Sequence, residues 1–183
     1  MSARVRNIQN WKPTPLGRKC GGCDLCCVNL PIVALEKLAG ERCQHAQGDG
    51  CAIYADRPKE CADYGCLWIF GQGTWDQRPD RMGACPTRTD NGRYDALYLV
   101  PPMTPVNLSS GVRAWVRSQQ RRSKPVVLLW GEGYSISTIL HPDGRREDRK
   151  TEWVGPLTQI IDNRKRTLTD DAPDDRTRTD HTG

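Results

Sequence analysis

Apolar residues are in short supply: of 183 residues, hydrophobic side chains make up 37% and aromatic ones 7%, with a single Phe and three Met. One large hydrophobic core is therefore not expected, and part of the fold should draw its stability from another source. The chain is too short for a β/α barrel, which takes roughly 250 residues. It has no Gly-x-Gly-x-x-Gly and no Gly-x-x-x-x-Gly-Lys-Ser/Thr after a strand, which argues against a doubly wound nucleotide domain. It also lacks any run of eighteen apolar residues, so no transmembrane helix is expected. The start, Met1 to Asn7, is basic but leads into Trp11-Lys12-Pro13 rather than an apolar run. No secretory signal is read there, and the protein is expected in the cytoplasm. Hydrolytic triads and paired carboxylates are missing too, because serines and histidines are scattered.

Cysteine is abundant. There are nine, and eight of them lie between Cys20 and Cys66, with Cys85 standing alone. In a reducing compartment, clustered thiols point to metal or redox chemistry rather than to a disulfide framework, and an odd number rules out complete pairing within one chain. Cys20-Gly21-Gly22-Cys23-Asp24-Leu25-Cys26-Cys27 contains two successive Cys-x-x-Cys spacings, in which a tight loop could aim several soft thiolates at one centre. Cys43, Cys51, Cys61 and Cys66 form a looser second group, with His45 two residues after Cys43. Neighbouring side chains in extended backbone point to opposite sides, so Cys26 and Cys27 are expected to serve different centres, or one of them none. Arg18 and Lys19 beside Cys20 should lower thiol pKa values there. Cys85 is read as packing.

The fold class read from the sequence is α+β: a metal-organised, loop-rich cysteine half joined to a small antiparallel sheet and one helix. Residues 1–16 form an N-terminal extension, 17–88 the cysteine-cluster region, 89–168 a small α+β region with antiparallel hairpins, and 169–183 a polar tail expected to be disordered. Val28 to Leu38 favours an extended or irregular path because of Pro31 and β-branched residues. Arg57 to Tyr64 suits a short helix with Pro58 in its first turn and Gly65 ending it through a positive φ. Asp90-Asn91-Gly92-Arg93 predicts a hairpin turn before a strand over Tyr94 to Val100. Ser109 or Ser110 should cap a helix through about Gln120, with Val112, Trp115, Val116 and Gln119 inward. Strands are predicted at Val126–Trp130 and Tyr134–Leu140, with an edge strand at Glu152–Val154, while the charged stretch between them is read as surface.

Cys20-x-x-Cys23-x-x-Cys26-Cys27, followed by Cys51-Ala52-Ile53-Tyr54-Ala55-Asp56-Arg57-Pro58-Lys59-Glu60-Cys61, resembles the CxxCxxCC family of zinc- or iron-chelating proteins. It is more distantly similar to the cysteine motif of flagellin lysine methylases. The likeness covers residues 16 to 85. It implies a metal-binding protein of unknown biological role, with zinc as cofactor and an iron–sulfur cluster as the alternative. The ligands it implies are Cys20, Cys23, Cys26, Cys27, Cys43, Cys51, Cys61 and Cys66, with His45 as an imidazole ligand where relatives have a further thiol. The other readings are an iron–sulfur protein with a redox role or serving a modification enzyme, and a nucleic-acid-binding module with structural zinc.

No acid occurs between Ala96 and Gly131, whereas Arg113, Arg117 and Arg121 recur every fourth residue and share one helix face. They could meet an acidic protein or nucleic acid.

Overall fold

A computed structural model describes residues 4–5, 17–47, 50–88 and 94–153. Along the chain run β1 (Arg4–Val5), α1 (Leu25–Asn29), β2 (Ala46–Gln47), β3 (Gly50–Cys51), α2 (Lys59–Asp63) and α3 (Pro79–Met82). These are followed by β4 (Ala84–Arg88), β5 (Asp95–Leu99), α4 (Ser110–Gln120), β6 (Val126–Trp130), β7 (Ile136–Leu140), β8 (Arg146–Lys150) and β9 (Glu152–Trp153). β4 to β8 form one five-stranded sheet in sequential order. Every neighbouring pair is antiparallel except β5 and β6, which run parallel with Leu97 opposite Leu128. Two small pairings stand apart, β1 with β9 in parallel and β2 with β3 as a hairpin.

The apolar runs of β5 and β6 follow from cover on both faces of the sheet. All five residues of β5 and the first four of β6 are buried. Alternate side chains then point to opposite layers. Leu97, Leu99, Val126 and Leu128 meet α4 through Val112, Trp115 and Val116, along with Leu67 and Met82. Ala96, Tyr98, Val127, Leu129 and Ile139 face the other way, onto Ala39, Cys66, Trp68, Cys85 and Tyr134. Cys26, Leu30 and Tyr64 pack against that second layer from the cysteine segment. The capped helix matches its sequence signal: Ser109 Oγ accepts from the Val112 N–H at 3.1 Å and donates to the Met82 carbonyl at 2.7 Å. Val112, Trp115, Val116 and Gln119 are its buried residues.

The chain is thus α+β with a small sheet and a few helices, but the expected metal-organised half is not what holds it. The sheet's second face supplies the cysteine segment with a core. The sheet is also mixed rather than antiparallel, because α4 carries the chain across from β5 to β6. Cys26 and Cys27 lie in a helical turn, not in extended backbone. α2 ends at Asp63 with Tyr64 extended, and Gly65 does not take a positive φ. Its lack of a side chain instead admits the Phe70 ring, whose Cζ would lie 2.4 Å from an added Cβ. The stretch whose basic runs alternate with Asp and Glu does lie at the surface, with none of its side chains buried, and it pairs as β8 along its whole length with β7. Its side chains are tied in pairs, Arg146 to Asp148 at 3.0 Å and Arg149 to Glu147 at 2.5 Å. Charge on an edge strand discourages pairing with other chains. The predicted turn at 90–93, the tail 169–183 and most of the extension 1–16 lie outside the described residues. Among the described residues no helix is long and apolar enough to cross a membrane.

α4 approaches α3 closely at Gly111, where an added Cβ would come within 2.7 Å of Met82 Cβ and 3.3 Å of its Cα. Alanine is the better helix former by about 1 kcal/mol, but overpacking of this kind costs about 1–3 kcal/mol. Gly111→Ala is therefore expected to lower the urea midpoint, whereas Gly22→Ala, with nothing within 4 Å, should leave it in place.

Candidate thiol site

Backbone hydrogen bonds bring the cysteines onto one layer. The Cys23 N–H donates to the Cys20 carbonyl at 3.1 Å, closing the first Cys-x-x-Cys turn. The Cys27 N–H donates to the Asp24 carbonyl at 2.8 Å and opens α1. Cys43 is fixed to that helix because its N–H donates to the Cys27 carbonyl at 2.8 Å. Cys51 lies on β3 opposite Ala46, and the Ala52 N–H donates to the His45 carbonyl at 2.9 Å. Cys61 sits in α2, Cys66 is buried against the sheet, and Cys85 is buried within β4. Only Cys20 is exposed, and all nine thiols are free. Cys85 Sγ lies 3.4 Å from the Tyr64 hydroxyl.

Lys37 anchors the end of α1 from beneath. It is 5% exposed, and its ammonium donates to the carbonyls of Val28 at 3.2 Å, Leu30 at 2.5 Å and Leu38 at 3.2 Å. These acceptors include the last carbonyls of the helix, which have no intrahelical partner. Burial lowers the Lys37 pKa to about 8, with nearby Cys43, Glu41, Cys27 and Cys26 acting in the opposite direction.

Most of the resolved thiols are pushed up. Desolvation raises Cys20 and Cys23, and it carries Cys61 and Cys66 up to about 11. It also raises Cys85 well above the ordinary thiol value. Cys26 rises because its side chain is hydrogen-bonded to Cys27, and burial adds to this. Cys27 goes the other way, down to about 7. The Cys26 hydrogen bond is the main cause, with Lys37 and Arg42 helping against burial and Asp24. Arg18 and Lys19 do not lower Cys20 as the sequence suggested. Arg18 is committed to the carbonyls of Trp68 at 3.0 Å, Gln72 at 3.1 Å and Gly73 at 3.0 Å. A donor from the next thiol, which spacing alone does not reveal, singles out Cys27 instead.

The thiols lie near enough to feel one another's charge, but they do not converge as metal ligands. Among the described residues no three or more His, Cys, Asp or Glu side chains form a group able to hold a metal ion. The expected ligand set of Cys20, Cys23, Cys26, Cys27, Cys43, His45, Cys51, Cys61 and Cys66 is therefore not a metal centre. Neither zinc nor an iron–sulfur cluster has a site there, and the resemblance to the CxxCxxCC chelating family is not upheld. His45 instead has its Nε2 3.3 Å from Gln44 Nε2. Comparison with protein-family models, curated proteins and solved structures finds no match.

Lys37→Met removes the ammonium and leaves three carbonyls without it, at a cost of about 1–3 kcal/mol. Urea unfolding at neutral pH should show this loss, and an unchanged midpoint would mean that the ammonium does not hold α1.

Proposed function

We propose that this is a cytoplasmic thiol-exchange protein in which Cys27 is the attacking sulfur and a neighbouring cysteine resolves the mixed disulfide. What carries the reading is the Cys26–Cys27 pair, adjacent thiols on one short helix, of which Cys27 is held below the ordinary thiol value while Cys26 is pushed above it. A thiolate, not a thiol, is the nucleophile, and an attacking thiol works best with a pKa near ambient pH. With a value of about 7, Cys27 is about half ionised at neutrality. The Cys27 thiolate attacks one sulfur of a substrate disulfide; a new S–S bond forms, the old one breaks, and the departing thiolate takes up a proton. Cys20 is exposed and, of the charges around it, Cys27 acts on it most strongly. Its thiolate then attacks Cys27, freeing the second substrate thiol and leaving a Cys20–Cys27 disulfide. Two electrons pass from the protein's two thiols to the substrate.

The rate of reaction with an aryl disulfide should rise with pH to half its plateau near pH 7 and fall below it as Cys27 takes up its proton. Cys27→Ser should abolish that phase, and Cys26→Ala, which removes the neighbouring thiol donor, should move its midpoint upward. A fast phase surviving in Cys27→Ser would overturn the reading. Stability follows the same titration. The folded state favours the Cys27 thiolate, so its contribution is complete above the ordinary value of 9.0 and is lost as pH falls through about 7.

A second surface supports an acidic partner. Arg113 and Arg117 on α4 and Arg121 at its C-cap are all exposed. None of them forms an ion pair among the described residues. Four residues of helix advance roughly 6 Å, so the three charges form a row rather than a point. Binding of polyglutamate and of a single-stranded oligonucleotide, titrated against salt, should weaken as salt rises and fall at least tenfold when all three become Ala. Absence of affinity for both at low salt would remove this surface.

A further inference from the structure

We infer that Arg57 and Tyr54 form the docking element of this thiol site and select a disulfide that carries a carboxylate. The inference rests on the thiol-exchange reading and names the class of substrate. Arg57 Cζ lies 3.9 Å from the centre of the Tyr54 ring, and Tyr54 is 66% exposed. A guanidinium stacked on an aromatic face keeps its edge N–H groups in a fixed plane, which suits a planar carboxylate. Two backbone turns hold the pair, from the Tyr54 N–H to the Cys51 carbonyl at 3.2 Å and from the Asp56 N–H to the Ile53 carbonyl at 3.0 Å. Pro58 follows at once and leads into α2, so Arg57 is placed relative to Cys61 by the start of a helix.

Arg57 and Arg78 carry the positive charges that act on Cys20, Arg18 precedes it by two residues and Arg42 pairs with Asp24 at 2.7 Å, so that all but Arg57 are already engaged. Arg78 is clamped by Asp80 through Nε at 2.6 Å and Nη2 at 2.5 Å. Arg18 is held by three carbonyls and lies over the Trp68 ring. Arg57 forms no ion pair among the described residues, not even with the adjacent Asp56. Its charge nevertheless reaches Cys20, the exposed thiol. The Tyr54–Arg57 turn, which starts from Cys51 and leads through Pro58 into the helix of Cys61, thus presents an uncommitted, pre-oriented cation whose charge acts on the exposed residue Cys20. An anionic disulfide would place its carboxylate on Arg57 while its S–S bond meets the thiols.

The test compares two aryl disulfides, the dianionic dithiobis-nitrobenzoate and the uncharged dithiodipyridine, each reacted with the full chain. The wild type should favour the anionic reagent relative to free cysteine, and added salt should erode that preference. In Arg57→Gln the ratio of the two rates should fall about tenfold, in keeping with loss of one hydrogen-bonded charge pair. Tyr54→Leu, which keeps the charge but removes the stack, should lower the ratio by a smaller factor. Equal slowing toward both reagents, or an unaltered ratio in both variants, overturns the docking role while leaving Cys27 as nucleophile. Slow reaction of the wild type with both reagents would instead overturn the thiol-exchange reading itself.

Discussion

β5 and β6 carry apolar side chains on both faces, and an exposed face of Val, Leu and Tyr would cost about 25 cal/mol for each Å² left in water. Both faces must therefore be covered, and the two covers are of different kinds. α4 is an amphipathic helix that brings Val112, Trp115 and Val116 to one side. The other side is closed by a layer of short helices and turns that brings Ala39, Cys66 and Trp68 onto the sheet, where they meet Cys85 of β4. Such short elements gain little from their own hydrogen bonds, and packing on the sheet is what keeps them folded.

That arrangement accounts for the failure of the metal expectation. The cysteine half is poor in apolar residues and would not be expected to fold alone. The structure resolves the shortage by sharing: Trp68, Cys66 and Ala39 join one cluster with Tyr98, Leu129 and Ile139 of the sheet. Cysteine in this setting behaves partly as a small buried hydrophobe, as Cys85 does at 1% exposure. Burial then sets the chemistry. It drives the pKa of most of the resolved thiols upward, which lowers their thiolate fraction at neutrality. Cys27 escapes because its neighbour donates a hydrogen bond and two cations, Lys37 and Arg42, oppose desolvation. The thiol-exchange proposal rests on this contrast between Cys27 and its neighbours.

Local patterns were legible where one signal acted alone. Ser109 and the 112, 115, 116, 119 spacing gave α4 and its inward face. Unbroken apolar residues gave β6. Signals failed where a distant residue decided the outcome. Gly65 looked like a helix terminator, but the Phe70 ring is what excludes a side chain there. Arg-Glu-Asp-Arg-Lys had no strand pattern, because an edge strand on the charged border of a sheet needs only backbone pairing. Arg18 looked like a cation for the adjacent thiols, whereas carbonyls fifty residues or more away claim it.

The sequence by itself determined the elements with periodic hydrophobicity, the absence of a long apolar span, and the concentration of eight thiols ahead of the sheet. It could not decide what those thiols do. Spacing along a chain limits which sulfurs can meet, but convergence on one point depends on the path of the backbone between them. That path is set by Lys37 beneath α1, by the Cys43–Cys27 backbone bond and by the face of the sheet on which the segment rests. Tertiary structure therefore chose between a shared ion and a single activated thiol, because ligand geometry and desolvation are properties of three-dimensional neighbours and not of sequence intervals.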